Sequence, residues 1–260
     1  MQHIPRKRFG QNFLVDSQIV ADIVDAIHPG RDDLLVEIGP GLGALTRPLL
    51  QSLDHLYVVE IDRNIVERLH REFSEQCLTI HSADALEFDF QALGKNLRVV
   101  GNLPYNISTP ILFHLAQFAD SIRDMHFMLQ KEVVARMVAQ PSTSDYGRLS
   151  VMLQYRFEME QLFVVSPDCF RPAPKVESAV VRMIPRRQPL IEADKENIFA
   201  GIVSAAFSQR RKTLRNTLHG YLKPEDYTAL EIDAGKRAEN LSVTQFVAIA
   251  NYLSKRQLLS

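Results

Sequence analysis

Three glycines follow the first apolar run of the sequence at alternate positions. The run 34–38 leads directly into Gly39, Gly41 and Gly43, and a helical pattern begins immediately afterwards. Glycine lets the backbone approach a ligand closely, because no Cβ stands in the way. In a parallel α/β sheet, the first strand-to-helix turn is where a nucleotide-like ligand lies. A plain tight turn explains the glycines equally well.

An acidic residue, Glu60, follows the apolar residues 56–59. At this distance from the glycines, a carboxylate can accept hydrogen bonds from both hydroxyls of a ribose. Together these residues favour a nucleoside cofactor. The glycines lack the GxGxxG spacing that seats a pyrophosphate, so the pattern favours S-adenosylmethionine over NAD(P). Asp84 follows the next apolar run, and it either contacts the adenine amino group of such a cofactor or caps a helix that starts at 85.

A four-residue motif, Asn102-Leu103-Pro104-Tyr105, follows the apolar run 97–100. It resembles the catalytic motif of adenine-N6 methyltransferases that act on RNA. Other stretches agree in the same order along the chain: RFGQNFL at 8–14, the glycine turn at 39–43, FRPAPKVESAV at 170–180 and FSQRRKTLRN at 207–216. From about residue 6 to residue 250, the chain therefore resembles the bacterial 16S rRNA adenine N6,N6-dimethyltransferases.

The resemblance implies an enzyme that uses S-adenosylmethionine to dimethylate N6 of two adjacent adenines. These lie in a hairpin loop near the 3′ end of 16S rRNA, within the 30S subunit or its precursor. The family's cofactor contacts map to Asn12, Leu14, Gly39, Glu60, Asp84 and Asn102, and the glycine turn adds Gly41. Position 12 is Asn where some relatives have His, which leaves the detail of that contact open.

The catalytic residues implied by the resemblance are Asn102 to Tyr105 and Phe170. An adenine amine is a poor nucleophile, because its lone pair is delocalised into the ring. The Asn102 side-chain oxygen can accept one N6 hydrogen and the backbone carbonyl of Leu103 or Pro104 the other, which stabilises the positive charge that grows on nitrogen. Pro104 fixes the turn. Tyr105 and Phe170 are expected to stack on the extruded adenine, although Phe170 could instead fold onto the core.

Basic residues are expected to contact RNA phosphates and so to set position rather than to read sequence. They are Arg6, Lys7, Arg8, Arg171, Lys175, Arg210, Arg211, Lys212 and Arg215. The last four lie in a stretch without acids that we expect to be largely helical, and a solvated helix face is the alternative. No histidine pair has metal-ligand spacing, and methyl transfer needs no metal, so none is expected.

Five apolar runs alternate with helical patterns, which predicts βαβ units and a parallel sheet. The runs are 34–38, 56–61, 77–80, 97–100 and 125–129, and the helices are 16–27, 44–53, 63–73, 108–118 and 131–139. We interpret 149–156 as a helix. The segments 162–165 and 179–184 indicate a late antiparallel pair.

The fold class is therefore α/β, with a Rossmann-like S-adenosylmethionine-dependent methyltransferase domain at 1–185. Pro185 and Pro189 bracket two arginines where the alternation ends, which indicates a domain boundary. The remainder, 186–260, is expected to be a smaller, all-helical RNA-binding domain, with helices at 195–207, 211–219, 224–230 and 243–255.

The composition is that of an ordinary globular protein, with 260 residues, a net charge of −1 and 46% hydrophobic residues. It excludes disordered, collagen-like and disulfide-scaffold proteins. No apolar stretch approaches the length of a membrane span or forms a signal peptide. Cys77 and Cys169 form no CxxC pair. We therefore expect a cytoplasmic protein, monomeric and without a membrane partner.

Three other functions remain open. A 23S rRNA adenine methyltransferase that confers antibiotic resistance shares much of the motif set, although the C-terminal helices and a pI near 6.7 favour the small-subunit enzymes. A non-catalytic ribosome assembly factor would explain the basic patches, but the intact 102–105 motif argues against it. A Rossmann dehydrogenase would explain the glycine turn and Glu60, but it leaves 102–105 unexplained.

Overall fold

The computed structural model describes residues 12–257 of the chain. In this range the strands are β1 (Phe13–Leu14), β2 (Leu35–Ile38), β3 (Leu56–Glu60), β4 (Leu78–Ser82), β5 (Leu97–Asn102), β6 (Ile122–Gln130), β7 (Phe157–Val165), β8 (Phe170–Arg171) and β9 (Ser178–Pro185). The helices are α1 (Ser17–Ile27), α2 (Thr46–Ser52), α3 (Arg63–Glu72), α4 (Ser108–Ala116), α5 (Lys131–Val138), α6 (Arg148–Gln154), α7 (Glu196–Ala206), α8 (Leu214–Thr217), α9 (Pro224–Ala229) and α10 (Val243–Gln257).

Seven strands form one sheet in the order β4-β3-β2-β5-β6-β9-β7. The strands β2 to β6 run parallel, and β9 pairs antiparallel with β6. All four residues of β2 are buried, as expected for a central strand that helices cover on both faces. The predicted parallel sheet is confirmed, and the late segments 162–165 and 179–184 lie in the neighbouring strands β7 and β9.

The strand order reverses next to β2, which places a binding crevice at the carboxyl ends of the central strands. From β2 the chain proceeds to β3 and β4 on one side, and then crosses to β5 and β6 on the other. In open α/β sheets, the connections diverge at such a point, and ligands bind there. The residues that follow β2, β3, β4 and β5 are therefore brought to one edge of the sheet.

A two-stranded pair lies outside this sheet and holds the segment that begins at residue 12. β1 pairs antiparallel with β8, so that Phe13 lies opposite Arg171 and Leu14 opposite Phe170. The N–H of Val15 also donates to the carbonyl of Cys169 at 2.9 Å. Directly afterwards, the Asp16 carboxylate caps α1 by accepting from two backbone N–H groups.

The chain divides into two compact units. The first contains residues 12–134 and Met159–Pro185, and the second contains Ala135–Glu158 and 186–257. The core of the second unit includes Phe199, where the Tyr155 ring packs with ring centroids 4.9 Å apart. None of the helices in the described part of the chain is long and apolar enough to cross a membrane.

Two expectations about the helical region need correction. Residues 135–158 belong to the helical unit and not to the sheet unit, because their buried side chains, such as Tyr146 and Val151, pack in the same core as Phe199. The predicted helix 211–219 is only Leu214–Thr217. Its buried apolar residues, Leu214 and Leu218, lie one turn apart, whereas 208–212 has no apolar side chain to anchor a helix. The ambiguous segment 149–156 is helical, as expected.

Candidate active site

The glycine turn after β2 adopts a backbone that suits glycine. Gly39, Gly41 and Gly43 have φ angles of +67°, +54° and +81°. L-residues with a side chain rarely adopt this left-handed region. A Cβ on Gly41 would also lie 3.1 Å from the Phe13 ring. The turn therefore brings bare backbone to the edge of a cavity that it lines.

Two buried carboxyls lie on the same cavity. Glu37 in β2 accepts a hydrogen bond from Thr46 Oγ1 at 2.7 Å, and burial raises its pKa to about 7. Glu60 at the end of β3 accepts from the Asp62 N–H at 2.7 Å, and burial raises its pKa as well. The charge of Glu60 disfavours that of Glu37, and the charge of Asp62 disfavours that of Glu60, so the cavity favours a cationic ligand. Glu37 is not among the residues expected from the sequence, because it lies within an apolar run that predicts only a strand.

Asp84 both caps a turn and lines the cavity. Its Oδ1 accepts from the Leu86 N–H at 2.9 Å, which caps the turn at 85–87. Asp84 also lines the cavity on which Glu60 lies. The carboxyl group is thus fixed at one oxygen by the backbone, and its second oxygen is not used in that bond.

The motif at the end of β5 is positioned by close contact of β5 with β2. A Cβ on Gly101 would lie 2.4 Å from the Ile38 carbonyl oxygen, so only glycine fits there. The next residue, Asn102, donates from Nδ2 to the Asn12 carbonyl at 3.0 Å. This bond orients the amide and leaves Oδ1 as an acceptor. The buried Leu103 donates its N–H to the Met128 carbonyl at 3.2 Å.

Tyr105 is held at both ends. Its carbonyl accepts from Ser108 Oγ at 3.1 Å, and its hydroxyl lies 2.7 Å from Ser178 Oγ. The ring lines the cavity. Burial raises the pKa of the Tyr105 hydroxyl, which therefore remains protonated near neutral pH.

One cavity in the first unit brings together most of the residues expected at the site. Its lining includes Asn12, Leu14, Gly39, Gly41, Glu60, Asp84, Asn102, Leu103, Pro104 and Tyr105. Apart from Asn12 and Leu14, these residues lie at or just after the carboxyl ends of the central strands β2 to β5. Asn12 and Leu14 come from the β1 segment. The cavity can enclose a nucleoside-sized cation, and it presents an amide acceptor and an aromatic ring beside it.

The structure corrects the role expected for Phe170. We expected its ring to stack on a base, but it is fully buried in the core that also contains Leu14 and Val165. Its position in β8, opposite Leu14, turns the side chain inward. A ring without exposed surface cannot offer a face to a ligand. Phe170 instead supports the segment that carries Leu14, which is the alternative that its sequence context left open.

The basic residues expected to contact RNA are exposed wherever they fall within the described residues. Arg171 ends β8, where its Nη1 donates to the carbonyls of Asp168 and Phe170, and Lys175 lies on the loop between β8 and β9. Arg210, Arg211 and Lys212 lie in the turn before α8, and only Arg215 is helical. Arg6, Lys7 and Arg8 lie outside the described residues. No cluster of metal-ligating side chains occurs within residues 12–257.

The chain is similar to several known proteins over nearly its whole length. A family model described as "Ribosomal RNA adenine dimethylase" matches residues 2–255. A Nitrosospira multiformis protein named "Ribosomal RNA small subunit methyltransferase A" is 74% identical over 255 residues, which is 98% of each chain.

Two solved structures share the fold. A dimethyladenosine transferase from Plasmodium falciparum has a TM-score of 0.81 at 25% identity, and the match covers 94% of this chain and 98% of that one. The 23S rRNA methyltransferase ErmE has a TM-score of 0.74 at 26% identity, over 94% of this chain and 100% of that one. The fold alone therefore does not distinguish between these two kinds of enzyme.

Proposed function

This chain belongs to the ribosomal RNA adenine dimethylase family, and from that membership we propose that it dimethylates N6 of two adjacent adenines in the hairpin loop near the 3′ end of 16S rRNA. It is an S-adenosylmethionine-dependent rRNA adenine dimethyltransferase. One observation supports the site: Asn102 lies on the cavity with its amide oriented by Asn12.

The cofactor is S-adenosylmethionine, and the cavity fits it. When bound, this cofactor supplies a methyl group that is already a good electrophile. The buried Glu37 and Glu60 favour a positively charged ligand, and the glycine turn leaves room beside bare backbone. We propose that Glu60 accepts hydrogen bonds from the ribose hydroxyls and Asp84 from the adenine amino group. The remaining contacts are assigned to Asn12, Leu14, Gly39, Gly41 and Asn102.

Asn102 improves the amine of the target base. Its Nδ2 is committed to Asn12, so its Oδ1 can accept one N6 hydrogen of the substrate. The carbonyl of Leu103 or Pro104 accepts the other hydrogen. The Pro104 carbonyl already accepts from the Ile107 N–H at 3.2 Å, which still leaves a second lone pair. These fixed acceptors stabilise the positive charge that grows on nitrogen as the methyl group arrives.

No general base is needed for this transfer. The methylated amine is a strong acid once the new bond has formed, so its proton can leave to solvent afterwards. The buried carboxyls Glu37 and Glu60 therefore serve cofactor binding, and we assign neither of them to proton abstraction.

Tyr105 is assigned to hold the target adenine. A base in a hairpin loop must leave its stack to reach the cavity, at a cost of a few kcal/mol. Stacking on an aromatic ring contributes roughly 1–3 kcal/mol per base, which offsets that cost. Two aromatic residues were expected to stack on the base. Because Phe170 is buried, Tyr105 is the one that can supply this contact.

The RNA contacts proposed for this enzyme are electrostatic. The exposed cations at the end of β8, on the β8–β9 loop, in the turn before α8 and in α8 itself can contact phosphates, as can the basic residues near the N-terminus. The proposed set is Arg6, Lys7, Arg8, Arg171, Lys175, Arg210, Arg211, Lys212 and Arg215. We propose that the enzyme acts as a cytoplasmic monomer on 16S rRNA within the 30S subunit or its precursor.

The resistance-type 23S rRNA methyltransferase is the second candidate, since ErmE shares the fold. The relative from Nitrosospira multiformis, at 74% identity, carries a small-subunit name, whereas ErmE is 26% identical. This difference favours the small-subunit substrate. The dehydrogenase alternative does not agree with the family, and a non-catalytic assembly factor does not require the oriented Asn102 amide.

Methyl transfer to isolated subunits tests the proposal. Unmethylated 30S and 50S subunits are incubated with the protein and radiolabelled S-adenosylmethionine, and the modified nucleotides are located in the rRNA. We expect four methyl groups per 30S subunit, on two adjacent adenines. Labelling of 50S subunits with 30S subunits unlabelled would establish the second candidate instead.

A further inference from the structure

The hydroxyl of Tyr105 meets a buried hydroxyl on a different strand. Ser178 Oγ lies 2.7 Å from Tyr105 Oη, and Ser178 is fully buried. Ser178 is the first residue of β9, whereas Tyr105 follows the end of β5. β6 lies between these two strands in the sheet. The hydrogen bond therefore reaches past the carboxyl end of β6.

We propose that Ser178 is a positioning residue, which fixes the axis of the Tyr105 ring so that the ring forms a preset platform for the target adenine. The inference rests on the proposed function, because it requires a base that stacks on Tyr105. Ser178 itself touches neither base nor cofactor in this proposal. It acts only through the hydroxyl that it shares with Tyr105.

Ser178 is a rigid anchor. In the β6–β9 pair it lies opposite Gln130, the last residue of β6. The neighbouring Glu177 accepts from the Lys131 N–H at 3.0 Å through its carbonyl and pairs with Lys131 Nζ at 2.7 Å through its carboxylate. The same stretch of β6 pairs with β5, where Asn102 lies opposite Met128. The amide acceptor and the tyrosine anchor are thus tied to one strand, β6.

The ring of Tyr105 is held between two fixed points. Ser108 Oγ donates to the Tyr105 carbonyl at the backbone end, and Ser178 Oγ holds the hydroxyl at the far end. A tyrosine side chain rotates about two bonds. The hydrogen bond at its hydroxyl disfavours the rotamers that would move the ring from this position. Such preorganisation reduces the conformational entropy that the Tyr105 side chain loses when the base binds.

The anchor also connects the platform to the proposed phosphate contacts. Arg171 ends β8, and Lys175 lies on the loop that connects β8 to Ser178 at the start of β9. Ser178, which directly follows that loop, therefore fixes the Tyr105 ring on which the base is proposed to stack. A short stretch of chain therefore separates these proposed phosphate contacts from the anchor of the proposed stacking ring.

The test compares Ser178→Ala, Tyr105→Phe and the double variant in the full-length protein. Each single change removes the hydrogen bond and leaves the aromatic ring in place. We expect kcat on 30S subunits to fall about tenfold in each, on the scale of one lost hydrogen bond. The double variant should lose no more than either single one, and the affinity for S-adenosylmethionine should not change.

A spectroscopic readout separates positioning from mere stability. In 30S particles reconstituted with 2-aminopurine at one target position, the wild-type protein should quench the probe by stacking, and the variants should quench it less. The control is Tyr146→Phe, which removes a hydroxyl bonded to the Leu241 carbonyl at 2.9 Å in the other unit. It should lower thermal stability without changing kcat or the fluorescence. Ser178→Thr keeps the hydroxyl and should retain most of the activity.

The outcomes are distinguishable. Wild-type kcat and quenching in both Ser178→Ala and Tyr105→Phe would overturn the role of Ser178 and leave the proposed function in place. A lower melting temperature with an unchanged kcat for the folded protein would overturn it as well, since that result marks a structural role. If the wild-type protein failed to methylate 30S subunits, the proposed function and this inference would both fall.

Discussion

The side-chain amide of Asn102 donates to the backbone carbonyl of Asn12 at 3.0 Å, across ninety positions of the sequence. An asparagine amide carries a nitrogen that donates and an oxygen that accepts, so its hydrogen-bond partner determines which atom faces it. A carbonyl partner accepts only, so the nitrogen must face Asn12. The oxygen of Asn102 therefore remains as the acceptor that the proposed chemistry requires.

Removal of this amide should impair chemistry more than binding. We expect Asn102→Ala to lower kcat about 100-fold, because an acceptor aimed at developing charge is lost. Affinity for RNA should stay nearly unchanged, and affinity for S-adenosylmethionine is measured separately by calorimetry, since Asn102 also lines the cofactor cavity. Asn251→Ala in α10 is the matched control. Methylation by Asn102→Ala at the wild-type rate would contradict the mechanism.

Glu60 should contribute to cofactor affinity. We expect Glu60→Ala to weaken the binding of S-adenosylmethionine by roughly 1.5–3 kcal/mol, the scale of lost hydrogen bonds to a charged group. Isothermal titration calorimetry measures this change directly. Glu67→Ala, on the exposed face of α3, removes an equal charge and should have no effect. An unchanged affinity of the Glu60 variant would place the ribose elsewhere.

Glu37 should make cofactor binding depend on pH. Burial raises its pKa to about 7 in the ligand-free protein, with Glu60 adding to the shift and Thr46 and Arg47 opposing it. A cationic ligand favours the ionised carboxylate, so below pH 7 binding must release a proton. We expect the affinity to rise with pH by up to tenfold per unit and to level off above about 7. Calorimetry from pH 5.5 to 8.5 measures it, and Glu37→Gln should flatten the profile.

The same carboxyl should affect folding in the opposite direction. The folded protein binds this proton more tightly than the unfolded chain, whose glutamate titrates near 4.5. Its contribution to stability is therefore complete below pH 4.5 and is lost as the pH rises through 7. Urea unfolding of the ligand-free protein at several pH values would reveal this trend as a difference between wild type and Glu37→Gln. A difference that did not change with pH would contradict the raised pKa.

Gly101 should be intolerant of any side chain. A Cβ there would lie 2.4 Å from the Ile38 carbonyl oxygen, and backbone in the middle of a sheet has little freedom to move. We expect Gly101→Ala to cost about 1–3 kcal/mol of stability, the usual penalty for overpacking a core. Gly220→Ala, where a Cβ meets no atom within 4 Å, is the control. Equal melting temperatures for the two variants would show that β2 and β5 can separate.

The basic turn before α8 should contribute to RNA affinity through charge. We expect Arg211→Gln with Lys212→Gln to weaken binding to 30S subunits and to reduce the log–log salt slope by up to about 0.7–0.9 for each lost contact. Affinity for S-adenosylmethionine should not change. Arg63→Gln with Arg71→Gln, on α3, removes two charges at another place. An unchanged salt slope and affinity would show that these cations are solvated and do not contact RNA.

Most of the site could be predicted because its residues follow strands directly. Gly39, Glu60, Asp84 and Asn102 each stand at or just beyond the end of an apolar run. Parallel strands bring such ends to one edge, so local patterns were sufficient. Glu37 was missed for the opposite reason, because it lies within an apolar run that predicts a strand and nothing more.

The wrong expectations concern contacts that no local pattern encodes. Whether Phe170 points inward depends on its pairing with Leu14, which comes from the other end of the unit's sequence. The membership of residues 135–158 in the helical unit depends on packing against Phe199. The helix expected at 211–219 rested on charge and composition, whereas the structure follows the spacing of Leu214 and Leu218.

The pairing of β1 with β8 has a consequence for the biosynthesis of the protein. A chain emerges from the ribosome from its N-terminus, so the wall of the cavity formed by Asn12 and Leu14 is made first. Its partner, Phe170, emerges only after the whole parallel sheet has been translated. The stabilisation that a bound cofactor gives to a folded state is thus available only late in synthesis. Until then, the glycine turn and the acidic strand ends form a cleft with one side open.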